Sequence, residues 1–203
     1  MSDTKRRIIV GISGATGIVY GARALEILRS LGIETHLVIS RSGELSRAYE
    51  SALSRKDLEG LADVVHPIND VGAPISSGSF ATMGMLIAPC SVRSLAEIAS
   101  GVTSSLLTRA ADVVLKERRR LVLMVREAPL NLIHIRNMAT VTEAGGVIFP
   151  PVPAFYFRPT TIEELVDHSV GRALDLFGFK VETFPRWNEE LRRKQLQAAP
   201  PEA

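Results

Sequence analysis

The 203-residue chain has little cysteine, few aromatic residues and no predominance of either charge. Its single cysteine, Cys90, excludes an internal disulfide and a cysteine-ligated metal cluster, and fits a reducing cytoplasm. Aromatic residues make up only 5% of the chain, so a core drawn from its 46% hydrophobic content should be mainly aliphatic. The formal net charge is +2 with mixed signs along the chain, which excludes the basic stripe typical of nucleic-acid binding.

Targeting and membrane segments are also missing. No apolar run reaches the ~18 residues that a membrane span requires, and the polar segment 1–7 lacks the apolar region of a signal peptide. We therefore expect a cytoplasmic protein without a membrane span. Its length predicts one domain over 1–203, with a core at about 7–178 and a C-terminal helical arm and tail at about 179–203.

Strand and helix patterns alternate along the chain, which predicts an α/β fold with a mostly parallel sheet and helices on both faces. Ligands of such sheets bind at the carboxyl ends of the strands. Strands are predicted at 7–12, 34–39, 64–68, 83–88, 121–125 and 147–149. The clearest helices are predicted at 18–31, 91–99, 106–116, 131–144 and 161–177.

The most informative segment is an apolar strand that enters a glycine turn, GISGATG at 11–17, before a helix. Such a turn presents backbone N–H groups and the positive end of the helix dipole to an anion. The dinucleotide fingerprint is G-x-G-x-x-G with an acidic residue after the second strand. Here the spacing is G-x-x-G-x-x-G, and the second strand ends in Ser40 and Arg41. The pattern favours a mononucleotide such as FMN over NAD, with a ligand-free tight turn as the alternative.

Further polar motifs are predicted at strand ends. They are Ser40, the serines and glycine of 76–79, Pro89 to Ser91, and the pair Arg126 and Glu127. Their convergence at one edge predicts a binding site, although a cap or turn explains each serine alone. Arg126 can bind a phosphate or a ring carbonyl, and Glu127 can act as a general acid or base if it is withdrawn from water. A structural ion pair is the alternative for these two residues.

Several cations and a tyrosine suit a phosphate ester. Arg109 and Lys116 are seven residues apart on one predicted helix, and so share a face. The run 117–120 that follows is interpreted as a solvated helix end. Arg172 and Tyr156 can also contact a phosphate, with loop packing as the alternative for Tyr156. Cys90 is interpreted as a buried structural residue and not as a nucleophile.

Seven motifs together resemble the UbiX/Pad1 family of flavin prenyltransferases over residues 7–187. They are GISGATG (11–17), SSGSF (76–80), PCS (89–91), TRAADVVLKERR (108–119), VREAPL (125–130), PPVPAFYFRP (150–159) and RW (186–187). The resemblance implies a three-layer Rossmann- or flavodoxin-like fold that binds FMN. It implies transfer of a dimethylallyl group from dimethylallyl phosphate to N5 and C6 of reduced FMN without a metal. The product, prenylated FMN, would pass to a UbiD-type decarboxylase, and the chain would form a homododecamer with its site between subunits.

The family's site residues carry over by position. Glu127 matches an acidic residue that protonates the departing phosphate or acts as base at C6, and Trp187 lines the site. The resemblance assigns the prenyl phosphate to Lys116, Tyr156 and Arg172, with Arg109 beside them. It assigns FMN to Gly14, Ala15, Thr16, Ser40, Ser91, Val92, Arg93, Ser94 and Arg126. Thr16 stands where many members have serine, Arg93 is expected to contribute its backbone only, and 191–203 has no counterpart.

Three other functions stay open from the sequence. They are an FMN-dependent cysteine decarboxylase of the same fold, a non-catalytic flavin-carrying subunit of a decarboxylase, and a direct aromatic-acid decarboxylase. The VREAPL and LKERR segments argue against the first. A carrier would not require Lys116, Glu127 and Arg172 together. The sequence does not distinguish a monophosphate donor from a diphosphate or name the pathway.

Overall fold

The computed structural model describes residues 6–197, in which six strands form one parallel sheet. The strand order is β3-β2-β1-β4-β5-β6, that of Rossmann-type doubly wound sheets, and it confirms the predicted fold class. The strands are β1 (Arg7–Ile12), β2 (Glu34–Ile39), β3 (Val64–His66), β4 (Gly84–Cys90), β5 (Arg120–Val125) and β6 (Val147–Ile148). β4 runs past the predicted end at residue 88, because Cys90 still pairs with Val125 beyond a register shift.

Most of the helices begin where the sequence supplies a capping side chain; the first, which follows Gly17, does not. Ser91, Asn131 and Thr161 each accept a hydrogen bond from an amide in the first turn, which satisfies a donor that the helix leaves unpaired. Within residues 6–197, no helix is long and apolar enough to cross a membrane. The helices are α1 (Ile18–Ser30), α2 (Arg41–Glu50), α3 (Arg55–Glu59), α4 (Val92–Ser100), α5 (Leu106–Lys116), α6 (Leu132–Glu143), α7 (Ile162–Asp175) and α8 (Glu189–Gln197).

Two buried clusters lie on the two faces of the sheet. Successive side chains of a strand point to opposite faces, so Ile8 and Val10 join one cluster while Ile9 joins the other. The first cluster is covered by α1 and α7, and the second by α4, α5 and α6. Helices α5 and α7 are therefore separated by the full thickness of the sheet.

The core continues beyond residue 178, where the sequence predicts its end. Phe179, Val181 and Phe184 are buried in the cluster under α1 and α7. The Phe184 ring packs against Gly171 of α7, where a Cβ atom would lie 2.0 Å from the ring. This extended segment has no helical periodicity, so its burial is not visible in the sequence pattern. Residues 198–203 of the predicted tail lie outside the described residues.

Candidate functional site

A crevice of about 550 Å³ opens at the carboxyl ends of β1, β2 and β4. β1 and β4 are neighbours, but the helices that follow them, α1 and α4, lie on opposite faces of the sheet. This is the switch point at which doubly wound sheets bind ligands. The crevice brings together six of the residues to which the sequence assigns FMN: Gly14, Ser40, Ser91, Val92, Arg93 and Ser94.

Ser13 fixes the two loops of the crevice to each other. Its hydroxyl donates to the Pro89 carbonyl at 3.2 Å and accepts from the Ser91 amide at 2.8 Å. The Ser13 amide also donates to the Pro89 carbonyl, at 3.1 Å. Ser13 is buried, so these bonds form away from competing water and hold the end of β1 against the end of β4. Ser13 lies inside the glycine motif, and no feature of the sequence distinguishes it there from a turn residue.

The N-terminus of α4 opens into the crevice. Ser91 caps the helix by accepting a hydrogen bond from the Ser94 amide at 3.2 Å. Val92 and Arg93 occupy the first turn, where backbone amides have no partner within the helix. These amides and the positive end of the helix dipole make this wall of the crevice suited to a phosphate group.

Gly14 is required by a close approach between the glycine turn and α2. A Cβ atom at Gly14 would lie 2.2 Å from the Ser42 Cβ and 3.1 Å from the Ser42 carbonyl carbon. Arg41 and Ser42 also line the crevice, although the sequence analysis proposed only Ser40 from this segment. Their position in the first turn after the Ser40 cap is the signal that could have identified them.

The first amides of α1 are already occupied, contrary to the expectation from the glycine turn. The Gly17 and Ile18 amides donate to one carboxylate oxygen of Glu50, at 2.7 and 3.2 Å. Glu50 is the last residue of α2, and its charge complements the positive end of the α1 dipole. The first turn of α4 therefore supplies free amides to the crevice, and the amides of Gly17 and Ile18 are not among them.

The remaining flavin candidates lie at the same edge without lining the crevice. Ala15 and Thr16 continue the glycine turn, with Thr16 exposed. Arg126 follows β5, and its amide donates to the Cys90 carbonyl at 3.1 Å. Burial raises the pKa of the Tyr20 hydroxyl, and the nearby Arg126 charge opposes that rise.

Glu127 is exposed, and its carboxylate accepts the Ala128 amide at 3.0 Å. The withdrawal from water on which its proposed acid or base role depends is not provided by one chain alone.

Cys90 is fully buried at the end of β4. Burial raises the pKa of its thiol to about 12. The predicted burial of Cys90 is confirmed, and a thiol that stays protonated is a poor nucleophile.

Lys116 lies at the C-terminus of α5, near the edge of the sheet opposite the flavin crevice. It forms an ion pair with Glu117 at 2.5 Å, and Arg109 pairs with Asp112 at 2.7 Å. The segment 76–80 lies beside Lys116, so the expectation that this serine-rich motif joins the crevice at the strand ends is wrong. The interpretation of 117–120 as a solvated helix end is also wrong for Arg119, which hydrogen-bonds to the carbonyls of this segment.

Tyr156, Arg172 and Trp187 do come together, on the α7 side of the sheet. With Phe184 and Arg186 they line a cavity of about 380 Å³. The ring centroids of Tyr156 and Trp187 are 5.5 Å apart.

Polar neighbours that the sequence analysis did not assign support this cavity. The Tyr156 hydroxyl lies 2.8 Å from His168 Nε2. Asp175 accepts hydrogen bonds from Arg172 at 2.8 Å and from Arg186 at 2.7 Å. Burial raises the pKa of Asp175, but these two guanidinium groups outweigh that effect, so the pKa is lowered overall. Arg186 belongs to the RW motif, and this motif is the sequence signal that could have identified it as a site residue.

The structure thus separates the predicted prenyl-phosphate residues. Arg109 and Lys116 lie on α5, whereas Arg172 lies on α7, and the sheet stands between these helices. No side chain is long enough to bridge this layer. Within one described chain, the flavin crevice is assembled but the predicted phosphate site is divided.

Comparison with known proteins gives consistent matches. The profile of the family described as Flavoprotein matches residues 1–174. The chain is 59% identical over 182 residues to flavin prenyltransferase UbiX of Neisseria meningitidis serogroup B, covering 90% of this chain and 96% of that protein. The crystal structure of AnUbiX (PadA1) in complex with FMN and dimethylallyl pyrophosphate has a TM-score of 0.90 and 54% identity, covering 91% of this chain and 98% of that one. A dodecameric FMN-dependent UbiX-like decarboxylase from Escherichia coli O157:H7 has a TM-score of 0.88 and 45% identity, covering 90% and 99% of the two chains.

Proposed function

Because the chain belongs to the UbiX/Pad1 family of flavin prenyltransferases, we propose that it transfers a dimethylallyl group from dimethylallyl phosphate to reduced FMN. The observation that carries the proposal is the crevice at the switch point. Its hydroxyl group at Ser40 and the first-turn amides of α4, which Ser91 caps, offer donors to a phosphate. Reduced FMN supplies two electron-rich positions, N5 and C6, as acceptors of the prenyl group.

The protein's part in this reaction is to stabilise the departing phosphate. Breaking the allylic C–O bond leaves its electron pair on the phosphate and positive charge on the allyl group. Lys116, Arg109 and Arg172 are proposed to hold that phosphate, because fixed cations stabilise charge that develops in the transition state. The Tyr156 hydroxyl would donate a further hydrogen bond. Glu127 is proposed to protonate the phosphate or to take the proton from C6.

We further propose that the phosphate site is formed between copies of the chain. One copy supplies Arg109 and Lys116 from α5, and another supplies Tyr156, Arg172 and Trp187. The division of these residues between the two faces of the sheet supports this arrangement, as does the dodecamer formed by the similar E. coli protein. Exposed apolar side chains at Leu132 and Ile133 of α6 offer surface for such contacts.

The product's fate follows from its chemistry. Prenylated FMN is a modified cofactor and needs an enzyme that uses it, and a UbiD-type decarboxylase is the proposed recipient. A reducing cytoplasm is the proposed compartment, supported by the single cysteine being buried and unpaired. Ala15, Thr16 and Arg126 are proposed to complete the flavin contacts at the edge of the crevice.

The activity is tested by anaerobic incubation with reduced FMN and dimethylallyl phosphate, followed by mass spectrometry of the released flavin. A mass gain of one C5 prenyl unit is expected. Unmodified FMN with intact binding, also after dimethylallyl diphosphate is supplied, would favour a flavin carrier or a decarboxylase. Glu127→Gln and Lys116→Ala should keep FMN and lose transfer, whereas Lys56→Ala on the exposed helix α3 is the matched control.

The shared site is tested by complementation. Lys116→Ala and Arg172→Ala should each be inactive alone. When the two variants are co-expressed, random assembly leaves about one quarter of the sites with both cations intact, because each site draws α5 and α7 from different copies. Co-expressed variants that stay inactive, although mixed oligomers form, would show that both residues are needed from one chain.

A further inference from the structure

The segment 76–80, here called the serine–glycine loop, has no part in the flavin crevice but is firmly held. Arg119 donates from Nη1 to the Phe80 carbonyl at 2.8 Å and from Nη2 to the Gly78 carbonyl at 2.6 Å. Within the loop, the Phe80 amide donates to the Ser77 carbonyl at 3.2 Å and closes a turn. One guanidinium group thus joins the loop to the residues that follow α5.

The end of α5 is shaped to bring Arg119 to this loop. Arg118 adopts a left-handed conformation with φ of 55°, and the Arg119 amide donates back to the Val114 carbonyl at 2.9 Å. This is a common way to end a helix and reverse the chain. It leaves Lys116 and Arg119, three residues apart, on the two sides of the same bend.

The far end of the loop is anchored by its aromatic side chain. The Phe80 ring meets the buried His36 ring edge-on at 5.1 Å, and the Arg7 guanidinium lies 5.1 Å from its centroid. Because Arg119 holds the carbonyls of both Gly78 and Phe80, Gly78 is kept in place against the side chains beside it.

Gly78 faces the Lys116 side chain directly. A Cβ atom at Gly78 would lie 2.9 Å from Lys116 Nζ and 2.1 Å from Glu117 Oε1. Gly78 has no positive φ, so its backbone conformation does not require glycine. The missing side chain is needed for space, and that space is filled by the ion pair of Lys116 with Glu117.

We propose that the serine–glycine loop, held by the hydrogen bonds from Arg119, packs against Lys116 and so sets the position of its ammonium group for the prenyl phosphate. Gly78 and Arg119 are then positioning residues for the reaction. A lysine side chain has several rotatable bonds and loses considerable entropy when it is ordered. A loop that orders the lysine side chain before the prenyl donor binds removes this entropy cost from the binding step. The inference rests on the proposed function, which places Lys116 on the phosphate.

Gly78→Ala is the sharpest test, because the atoms nearest to the new methyl group are the ends of two flexible side chains, Lys116 and Glu117. We expect the protein to fold and bind FMN as the parent does, and the KM for dimethylallyl phosphate to rise by about tenfold, the order of the ordering cost of one lysine. Gly72→Ala is the control, since its Cβ would be 3.6 Å from the nearest atom. A Gly78→Ala enzyme with the parent KM would overturn the proposal.

A second background separates positioning from general damage to the fold. The measured quantity is the Kd for dimethylallyl phosphate from direct titration, because a chain without Lys116 is expected to lose transfer. In a Lys116→Met protein, Gly78→Ala should raise this Kd no further, because the residue that it positions is already gone. Equal losses in both backgrounds would show that the loop acts by another route. Full activity of Lys116→Met itself would instead refute the proposed role of Lys116. Arg119→Met should reproduce the KM effect, with Arg118→Lys as its exposed neighbouring control.

Discussion

The contact between Gly14 and Ser42 makes the flavin crevice sensitive to a single methyl group. In Gly14→Ala the new Cβ would lie 2.2 Å from the Ser42 Cβ, well inside the distance that two carbon atoms tolerate. Both residues line the crevice, so the strain can be relieved only by moving its walls apart. Forcing a methyl group into such a contact costs about 2 kcal/mol. If the cost is carried by the bound state, the Kd for FMN rises by about 30-fold.

A second substitution tests whether this particular contact is the cause. Ser42→Gly removes the Cβ that the new methyl group would meet and leaves Ser42's backbone carbon, at 3.1 Å, as the tightest contact. The single Ser42→Gly variant should lose about 0.5–1 kcal/mol of stability, as glycine does within a helix, and should bind FMN almost normally. The double variant should regain most of the affinity that Gly14→Ala loses.

The assay is FMN titration followed by flavin fluorescence, with unfolding in urea measured in parallel. Parent-like FMN affinity in Gly14→Ala would refute the steric argument. A double variant that binds no better than Gly14→Ala would place the cause elsewhere than at Ser42.

Two further predictions concern groups outside the flavin crevice. Cys90→Ala should keep both FMN binding and prenyl transfer, and a thiol reagent should label Cys90 only after unfolding, because burial raises its pKa to about 12; rapid labelling of the native protein would contradict this. Burial raises the pKa of Asp175, but Arg186 and Arg172 lower it by a larger amount, so the folded-state pKa lies below the unfolded value of about 3.9. The stabilisation by Asp175 is therefore complete above that pH and is lost as the pH falls through the folded-state pKa. Asp175→Asn should destabilise the protein at neutral pH by about 0.5–1 kcal/mol, because the two arginine side chains that pair with Asp175 are nearly half exposed, and should flatten the acid limb of stability measured in urea; an unchanged acid limb would contradict the assignment.

The sheet could be predicted because its signals are local. β1 and β2 match the predicted bounds at both ends, since each contains a short apolar run, 8–10 in β1 and 37–39 in β2, that is followed by a glycine or a polar residue. The segment with Phe179, Val181 and Phe184 gave no such signal. Its burial depends on the gap that Gly171 leaves in α7, which lies several residues away along the chain. A packing partner of this kind is not encoded in the periodicity of the segment itself.

The two parts of the candidate site differ in the same way. Ser40 and Ser91 could be placed in the crevice because a strand end followed by a helix cap fixes their position locally. The helical spacing of Arg109 and Lys116 places them on one face of α5 but does not tell on which face of the sheet α5 lies. The packing of α5 decides this, and it puts these two residues on the opposite face from Arg172. The interpretation of Arg119 as part of a solvated helix end was wrong because its carbonyl partners lie about forty residues earlier in the sequence.

The pairing of the proposed phosphate cations explains why composition gives no hint of a phosphate site. Each of them already has a carboxylate partner nearby on its own helix or next to it. The distances are 2.7 Å for Arg109–Asp112, 2.5 Å for Lys116–Glu117 and 2.8 Å for Arg172–Asp175.

All three cations are also partly exposed, with 37%, 47% and 49% of their side-chain surface accessible. Exposed pairs of this kind contribute little to stability. A dianionic phosphate can therefore displace the carboxylates, or share the cations with them, at a small cost in free energy. The paired acids keep an unassembled chain close to neutral, with a net charge of only +2. In the proposed assembly, a phosphate would meet all three cations only where two copies bring them together.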